Sequence, residues 1–190
     1  MTPEKNFPEY IRDVLAKSTC LYSKAQVEAA FDKMAFEITE RLSDENPVLL
    51  CVVIGAIVSL GNLLPRLDFP LEVDYIHATR YCNKTSGQHL TWKATPSCSL
   101  KNRTVLIVDD ILDGGITLAE ILAYCHAQGA KAAFTAVLVD KTTARISGGL
   151  AHADFSGLCI DNHYVFGYGL DYKGYLRNAP GIYQVAKEHE

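Results

Sequence analysis

The residues best able to do chemistry lie in the segment 104–120, which reads T-V-L-I-V-D-D-I-L-D-G-G-I-T-L-A-E. Acids follow an aliphatic run here and precede a glycine pair: Asp109, Asp110, Asp113, Gly114 and Gly115. Glycines let an anion approach the amides at the start of a helix, which have no intrahelical partner. Because the segment contains no lysine or arginine, amides and hydroxyls would hold a phosphate, and the acids would suit sugar hydroxyls or a divalent cation. We therefore expect a ribose 5-phosphate site.

Each part of this segment also has a purely structural interpretation. Thr117 and Glu120 have the spacing of a capping box, the glycines could form a tight turn, and the acids could be solvated beyond a strand end. The whole constellation favours a ligand site, since crowding three acids together is unfavourable unless a ligand or metal offsets their repulsion. The motifs G-x-G-x-x-G and G-x-x-x-x-G-K-[ST] are absent, which disfavours Rossmann and P-loop sites. A response-regulator receiver would carry its acids near the start of the chain.

The elements that must position these residues are short valine- and isoleucine-rich runs that alternate with helical segments. This alternation predicts an α/β fold, a parallel sheet flanked by helices. The runs are 48–53, 73–76, 104–108 and 132–139. Ligands bind at the carboxyl ends of such strands, so the segments beginning at Ile54, Asp109 and Asp140 should meet at one edge. Upstream, Ser23 and Gln26 predict a capped helix with apolar residues at three- and four-residue steps through Leu42.

Length predicts one domain spanning 1–190. Residues from about 80 to 102 show no apolar pattern, and we expect a flexible lid without secondary structure there. Two later apolar patches, 155–160 and 164–168, predict short strands.

Composition excludes several classes of protein. The chain is 48% hydrophobic and 21% charged, typical of a folded domain. Its net charge of -4 gives no general attraction to nucleic acid or an anionic membrane, so neither is an expected partner. The apolar stretch 48–64 is interrupted by glycine and polar residues, which favours a strand, a turn and a helix over a membrane span. Six cysteines without a C-x-x-C pair, and a polar N-terminus, predict a reduced, cytoplasmic protein.

The segment 105–118 resembles the signature of the type I phosphoribosyltransferases, which bind 5-phosphoribosyl-1-pyrophosphate (PRPP). Further segments are similar to the hypoxanthine-guanine phosphoribosyltransferase family: 51–55, 81–83, 139–141 and 163–177. The resemblance runs from about Ser23 to the C-terminus. It implies the type I phosphoribosyltransferase fold, with a core over about 45–145 and a small hood formed by the N-terminal segment and residues of about 155–185. It also implies a homodimer or homotetramer.

The resemblance implies a role for each matching residue of the acidic segment. Asp109 and Asp110 would bind the ribose hydroxyls, and Asp113 would be the general base that takes a proton from the purine. The 5-phosphate would be held by the loop that follows: Gly114, Gly115, Ile116 and Thr117.

The purine and the leaving group would be bound by residues elsewhere in the chain. The Lys141 ammonium would contact the purine 6-oxygen, and because it has donors and no acceptor it favours a 6-oxo over a 6-amino group. Tyr164 would stack on the base, whose 2-position would meet the Val165 main chain. Asp171 would hold Mg2+. Pyrophosphate would be bound by the loop Ile54 and Gly55 and by Arg177.

The reaction implied is displacement of pyrophosphate from PRPP by a purine nitrogen, which makes IMP or GMP from hypoxanthine or guanine. Some residues depart from the family pattern: Ile54 and Ala56 stand where relatives often have lysine and glycine, and Gly114 where threonine is common. These departures leave open a PRPP-sensing regulatory protein with little or no catalysis. A phosphoribosyltransferase acting on adenine or a pyrimidine is a further alternative, which Lys141 and Tyr164 disfavour.

Overall fold

The computed structural model describes residues 7–80 and 90–190. Its helices are α1 (Phe7–Lys17), α2 (Lys24–Leu42), α3 (Ala56–Leu63) and α4 (Ile116–Ala127). Short 3-10 helices span Leu64–Arg66 and Lys187–His189. The strands are β1 (Thr19–Ser23), β2 (Val48–Val52), β3 (Glu72–Arg80), β4 (Leu90–Ala94), β5 (Thr104–Leu112), β6 (Ala132–Lys141), β7 (Phe155–Ile160), β8 (Val165–Phe166) and β9 (Gly181–Gln184).

A six-stranded sheet of order β4-β3-β2-β5-β6-β7 forms the core, and every neighbouring pair except β3 and β4 is parallel. The central strands are buried because helices cover the sheet: Leu50 in β2 and Ile107 in β5 are each 0% exposed. The predicted parallel α/β sheet is confirmed.

Helix α2 begins and packs as its sequence pattern predicts. The Ser23 amide donates to Gln26 Oε1 at 2.9 Å, which is one half of a capping box. The apolar residues spaced three and four apart are buried: Val27, Phe31, Met34, Ile38 and Leu42. This face lies against β7, where Gly157 leaves so little room that an added Cβ would be 2.9 Å from Met34 Sδ.

Strand β5 is longer than the aliphatic run 104–108. Its pairing with β6 continues through Asp109 opposite Val137 and Leu112 opposite Asp140. Asp109 and Asp110 therefore lie within the last part of the strand instead of after it, because backbone pairing to a neighbouring strand extends the ladder past the hydrophobic residues.

The expectation that the whole segment 80–102 lacks secondary structure is wrong for 90–94, which form β4 antiparallel to β3. Trp92 packs on Tyr124 of α4, with ring centroids 5.0 Å apart. The following turn is fixed by Asp74, whose Oδ2 accepts hydrogen bonds from the amides of Ser97 at 2.7 Å and Cys98 at 2.9 Å. Residues 81–89 lie outside the described residues, and the lid role stays a prediction.

The smaller sheet, of order β1-β9-β8, joins an N-terminal strand to two C-terminal ones. With α1 it forms a second apolar cluster, which contains Ile11, Val14, Phe166, Tyr172, Ala179 and Val185. We refer to this unit as the hood. Residues 155–160, which were expected to belong to it, instead form β7 and pair with β6 in the large sheet. The predicted strand 164–168 is shortened to β8, since Gly167 and Tyr168 have positive φ values of 105° and 48°.

The stretch 48–64 folds as β2, a turn and α3, as expected. Within residues 7–80 and 90–190, no helix combines the length and the apolar character needed to cross a membrane. The cysteines of the same ranges are free thiols: Cys20, Cys51, Cys98, Cys125 and Cys159.

Asp74 gives the fold a measurable dependence on pH. Burial raises the pKa of Asp74, but hydrogen bonds from Cys98, Tyr75 and Ser97 outweigh it and lower that pKa from 3.8 to about 2. The stabilisation is thus complete above pH 3.8 and is lost as the pH falls through about 2. We expect Asp74→Asn to be less stable than wild type at pH 7, with a difference that shrinks between pH 4 and pH 2.

Urea unfolding of both proteins at pH 7, 4 and 2.5 measures this difference. The exposed Asp68 provides a control at pH 7, where Asp68→Asn should be close to wild type in stability. A difference between wild type and Asp74→Asn that is constant with pH would contradict the assignment.

Candidate active site

The carboxyl ends of β2, β5 and β6 open into a cavity of about 300 Å³ that the hood covers. Predicted site residues from separate parts of the chain line it: Gly55, Asp109, Asp110, Asp113, Lys141, Tyr164, Val165, Asp171 and Arg177. A second cavity of about 280 Å³ shares the end of β5 and continues to Gly115 and Thr117. A larger cavity of about 700 Å³ lies at α1 and contains none of these residues, so chemistry and not size identifies the site.

The first two acids are held inside the protein. Asp109 is 8% exposed and accepts the Asp110 amide at 2.8 Å. The Asp110 side chain is 13% exposed, and burial raises its pKa. Arg177, whose Nη1 lies 3.8 Å from Asp110 Oδ2, opposes that shift. Gly55 makes room for this carboxylate, because a Cβ at Gly55 would be 2.1 Å from Asp110 Oδ2.

The third acid faces a buried cation. Asp113 has a side chain that is 52% exposed, and its Oδ2 lies 3.1 Å from Lys141 Nζ. The Lys141 side chain is only 9% exposed, so it is not a solvated surface charge. A buried ammonium needs a charged or hydrogen-bonding partner, and here that partner is the carboxylate predicted to be the general base.

Arg145 holds the main chain at both members of this pair, and sequence reasoning did not single it out. Its Nη1 donates to the carbonyls of Leu112 and Asp113, at 2.9 and 2.7 Å, and to the carbonyl of Lys141 at 2.9 Å. Its Nη2 also pairs with Asp140. The one signal in the sequence was an arginine four residues after Lys141, at the same strand end.

The glycine loop presents amides at the start of α4. The helix begins at Ile116 with Gly115 as its N-cap, so Thr117 lies in the first turn and is not the cap of a capping box. Among the described residues, the amides of Gly114, Gly115 and Ile116 donate to no backbone carbonyl. Gly115 has φ of 85°, and a Cβ there would be 2.6 Å from the Leu150 main chain. Glycine is therefore required at this position by both conformation and space.

The hood supplies the remaining wall. Asp171 Oδ1 lies 2.6 Å from Arg177 Nη2, and its Oδ2 accepts the Gly174 amide at 2.7 Å. The Tyr164 ring packs on Tyr172 with centroids 5.6 Å apart. The structure thus pairs Asp171 and Arg177, the residues expected to bind metal and pyrophosphate, with each other.

Three predicted site residues line neither cavity: Ile54, Gly114 and Ile116. Ile54 is 56% exposed and follows a cis Val53–Ile54 peptide bond. Gly114 and Ile116 flank Gly115, which does line the second cavity. A Cβ at Gly114 would meet only the Ile146 side chain, at 3.4 Å. Lack of space therefore does not explain why this position is a glycine.

Comparison with known proteins identifies the family of this chain. Residues 18–173 match the family model of the phosphoribosyl transferase domain. The fold and the matched region are therefore those of a phosphoribosyltransferase.

Individual relatives narrow the assignment. The chain is 33% identical over 162 residues to the hypoxanthine-guanine-xanthine phosphoribosyltransferase of Tritrichomonas foetus, covering 85% of this chain and 88% of that protein. It is 31% identical over 164 residues to the hypoxanthine-guanine phosphoribosyltransferase of Bacillus subtilis (strain 168), covering 85% and 89%. A solved hypoxanthine-guanine-xanthine phosphoribosyltransferase gives a TM-score of 0.80 at 30% identity, over 89% of this chain and 97% of that one. The chain belongs to the hypoxanthine-guanine phosphoribosyltransferase family, as its motifs predicted.

The contact between Gly55 and Asp110 can be tested directly. Gly55→Ala should displace the Asp110 carboxylate and lower kcat/KM for phosphoribosyl transfer at least about 10-fold, equivalent to about 1.4 kcal/mol. Gly61→Ala is the matched control in the following helix, since a Cβ there meets nothing within 4 Å. That control should keep its activity and gain about 0.5–1 kcal/mol of stability. Equal activity in both variants would show that the position of Asp110 is unimportant.

Proposed function

We propose that this chain transfers the phosphoribosyl group of PRPP to hypoxanthine or guanine, giving IMP or GMP and pyrophosphate. One observation carries the proposal: the acids of β5, the glycine loop and a buried Lys141 paired with Asp113 all open on adjoining cavities. The named activities of the relatives support the same reaction.

PRPP would lie across the two cavities. Its 5-phosphate fits the amides of Gly114–Thr117 and the Thr117 hydroxyl, since unsatisfied amides at a helix start attract an anion. Asp109 and Asp110 at the shared end of β5 would accept hydrogen bonds from the ribose hydroxyls. The pyrophosphate would then extend toward the Ile54–Gly55 loop and the guanidinium of Arg177, a suitable partner for phosphate oxygens.

The purine would bind between Lys141 and the hood. Tyr164 offers a ring for stacking and the Val165 main chain faces the 2-position. An ammonium carries three donors, so Lys141 can keep its contact with Asp113 while donating to the purine 6-oxygen. A 6-amino group in the same place would leave a buried ammonium facing another donor.

Asp113 would take the proton of the attacking purine nitrogen. As the C–N bond forms at the anomeric carbon, the bond to the pyrophosphate oxygen breaks and that oxygen keeps the electron pair. The ribose passes through a state with oxocarbenium character, which the neighbouring carboxylates stabilise electrostatically. Water must be excluded from this cation, and the hood and the predicted lid would do so.

The donor set at Asp171 fits Mg2+, which prefers oxygen ligands and binds through one or two carboxylates together with substrate phosphates. The Asp171 side chain is 35% exposed at the cavity wall and is oriented by Arg177 and the Gly174 amide. Asp171 would hold the ion. When bound, Mg2+ supplies positive charge to the leaving pyrophosphate. Assembly into a homodimer or homotetramer, and a cytoplasmic location, stay predictions.

Substrate preference follows from Lys141. Purified protein incubated with PRPP and Mg2+ should form nucleotide with hypoxanthine or guanine, while kcat/KM for adenine should be lower on the order of 10,000-fold. Chromatography of the products measures this. Competition among hypoxanthine, guanine and xanthine then ranks the 6-oxopurines. If none of the three gave a nucleotide, the regulatory alternative would replace the enzyme.

The role of Asp113 is tested by Asp113→Asn, which keeps the size of the side chain and removes its basicity. We expect kcat to fall by about 100- to 10,000-fold, as for loss of a general base, with purine binding retained. Steady-state kinetics and calorimetric titration measure the two effects separately. Asp44→Asn, at an exposed position outside the cavity, should behave as wild type. Wild-type turnover in Asp113→Asn would show that Asp113 is not the general base.

A further inference from the structure

A second cluster of chemically capable side chains lies in the hood, away from the proposed reaction. It borders the cavity of about 700 Å³ between α1 and the C-terminal 3-10 helix. Asp13 of α1 and Glu188 and His189 of the 3-10 helix face one another there, and their nearest ligand atoms all lie within 4.8 Å of one another. Among the described residues, no other group of His, Cys, Asp and Glu has this geometry.

His189 is the buried member of this group. The residue is 9% exposed, and its main chain is anchored by the hydrogen bond from Tyr172 Oη to its carbonyl at 2.8 Å. Its Nε2 is buried and has no hydrogen-bond partner within the described part of the chain. The nearest carboxylate oxygens lie 3.4 Å away on Asp13 and 3.6 Å away on Glu188. Since a buried polar atom without a partner is unfavourable, this nitrogen indicates a missing ligand.

We propose that Asp13, Glu188 and His189 bind a Zn2+ ion. One imidazole nitrogen and two carboxylate oxygens form a donor set that zinc uses, whereas Mg2+ prefers oxygen alone. In a tetrahedral site with bonds of 2.0–2.1 Å, neighbouring ligand atoms are about 3.3 Å apart. The separations of 3.4 and 3.6 Å in this structure come close to that spacing.

Lys17 competes with the zinc ion for two carboxylate oxygens. Its Nζ lies 2.9 Å from Asp13 Oδ2 and 2.9 Å from Glu188 Oε1, the two oxygens that zinc needs. The Lys17 side chain is 49% exposed, so its flexible stem can turn into solvent when the ion binds. Binding would exchange an ammonium for a divalent ion and would join α1 to the C-terminal 3-10 helix. Because the metal binds the folded hood, zinc should raise the thermal stability of the protein.

The test is calorimetric titration of the full chain with ZnCl2 after treatment with a chelator. We expect one Zn2+ per chain, a rise in Tm on binding, and an affinity that falls more than about 10-fold in His189→Ala. Glu188→Gln should weaken binding as well, and because the Glu188 side chain is 60% exposed this variant should fold normally. Lys17→Met should tighten binding.

Asp171→Asn separates this site from the catalytic cavity, since it should bind Zn2+ as wild type does. When Co2+ replaces Zn2+, its visible absorption spectrum shows which atoms bind the metal. We expect the spectrum of a site with nitrogen and oxygen ligands. The proposal is overturned if wild type and Glu188→Gln bind zinc equally, if Asp171→Asn loses the ion, or if thiolate charge-transfer bands place the metal on cysteines.

Discussion

The end of β5 gathers negative charge where water has little access. Asp109 is 8% exposed and the Asp110 side chain 13%, and the half-exposed Asp113 follows three residues later. Charges in such a position are strongly unfavourable unless cations or donors compensate them. The compensation comes from other elements: Lys141 at the end of β6 contacts Asp113, and Arg177 in the hood lies near Asp110. The site therefore depends on the large sheet and the hood being folded together.

Close contacts between main chains hold these parts in register. A Cβ at Gly169 of the hood would be 2.4 Å from the carbonyl oxygen of Gly55, so the hood loop rests directly on the loop after β2. Arg177 donates to the Gly169 carbonyl from the same loop. Farther out, Tyr168 Oη donates to Glu28 Oε1 at 2.8 Å, and Glu28 pairs with Arg66. Charge and backbone contact thus attach the hood to both the sheet edge and its helices.

Arg145 shows how the same region is fixed without lining the cavity. Its guanidinium donates to the carbonyl of Asp113, just after β5, and to the carbonyl of Lys141, the last residue of β6. A planar guanidinium suits this task because its donors are arranged in a rigid fork. The 3.1 Å separation of Asp113 and Lys141 is consequently set by a residue in contact with their main chains.

Local sequence determined the elements and most of the candidate site. Aliphatic runs indicated the strands, the spacing of apolar residues indicated α2, and the order of acids and glycines indicated the phosphate loop, because each depends on neighbours in the chain. Sequence did not show that 90–94 would pair with β3, that β7 would join the large sheet, or that β5 would extend to Leu112. Those features depend on hydrogen bonds between strands that are distant in sequence.

Tertiary structure alone decided which charges meet. The segment 104–120 contains no cation, and only the fold brings Lys141 and Arg177 to its acids. Burial, which distinguishes the 9% exposed Lys141 side chain from a surface lysine, arises when separate elements pack together. Sequence therefore determined the chemical groups available to this protein. The fold decided their partners and their access to water, because both depend on distances between residues far apart along the chain.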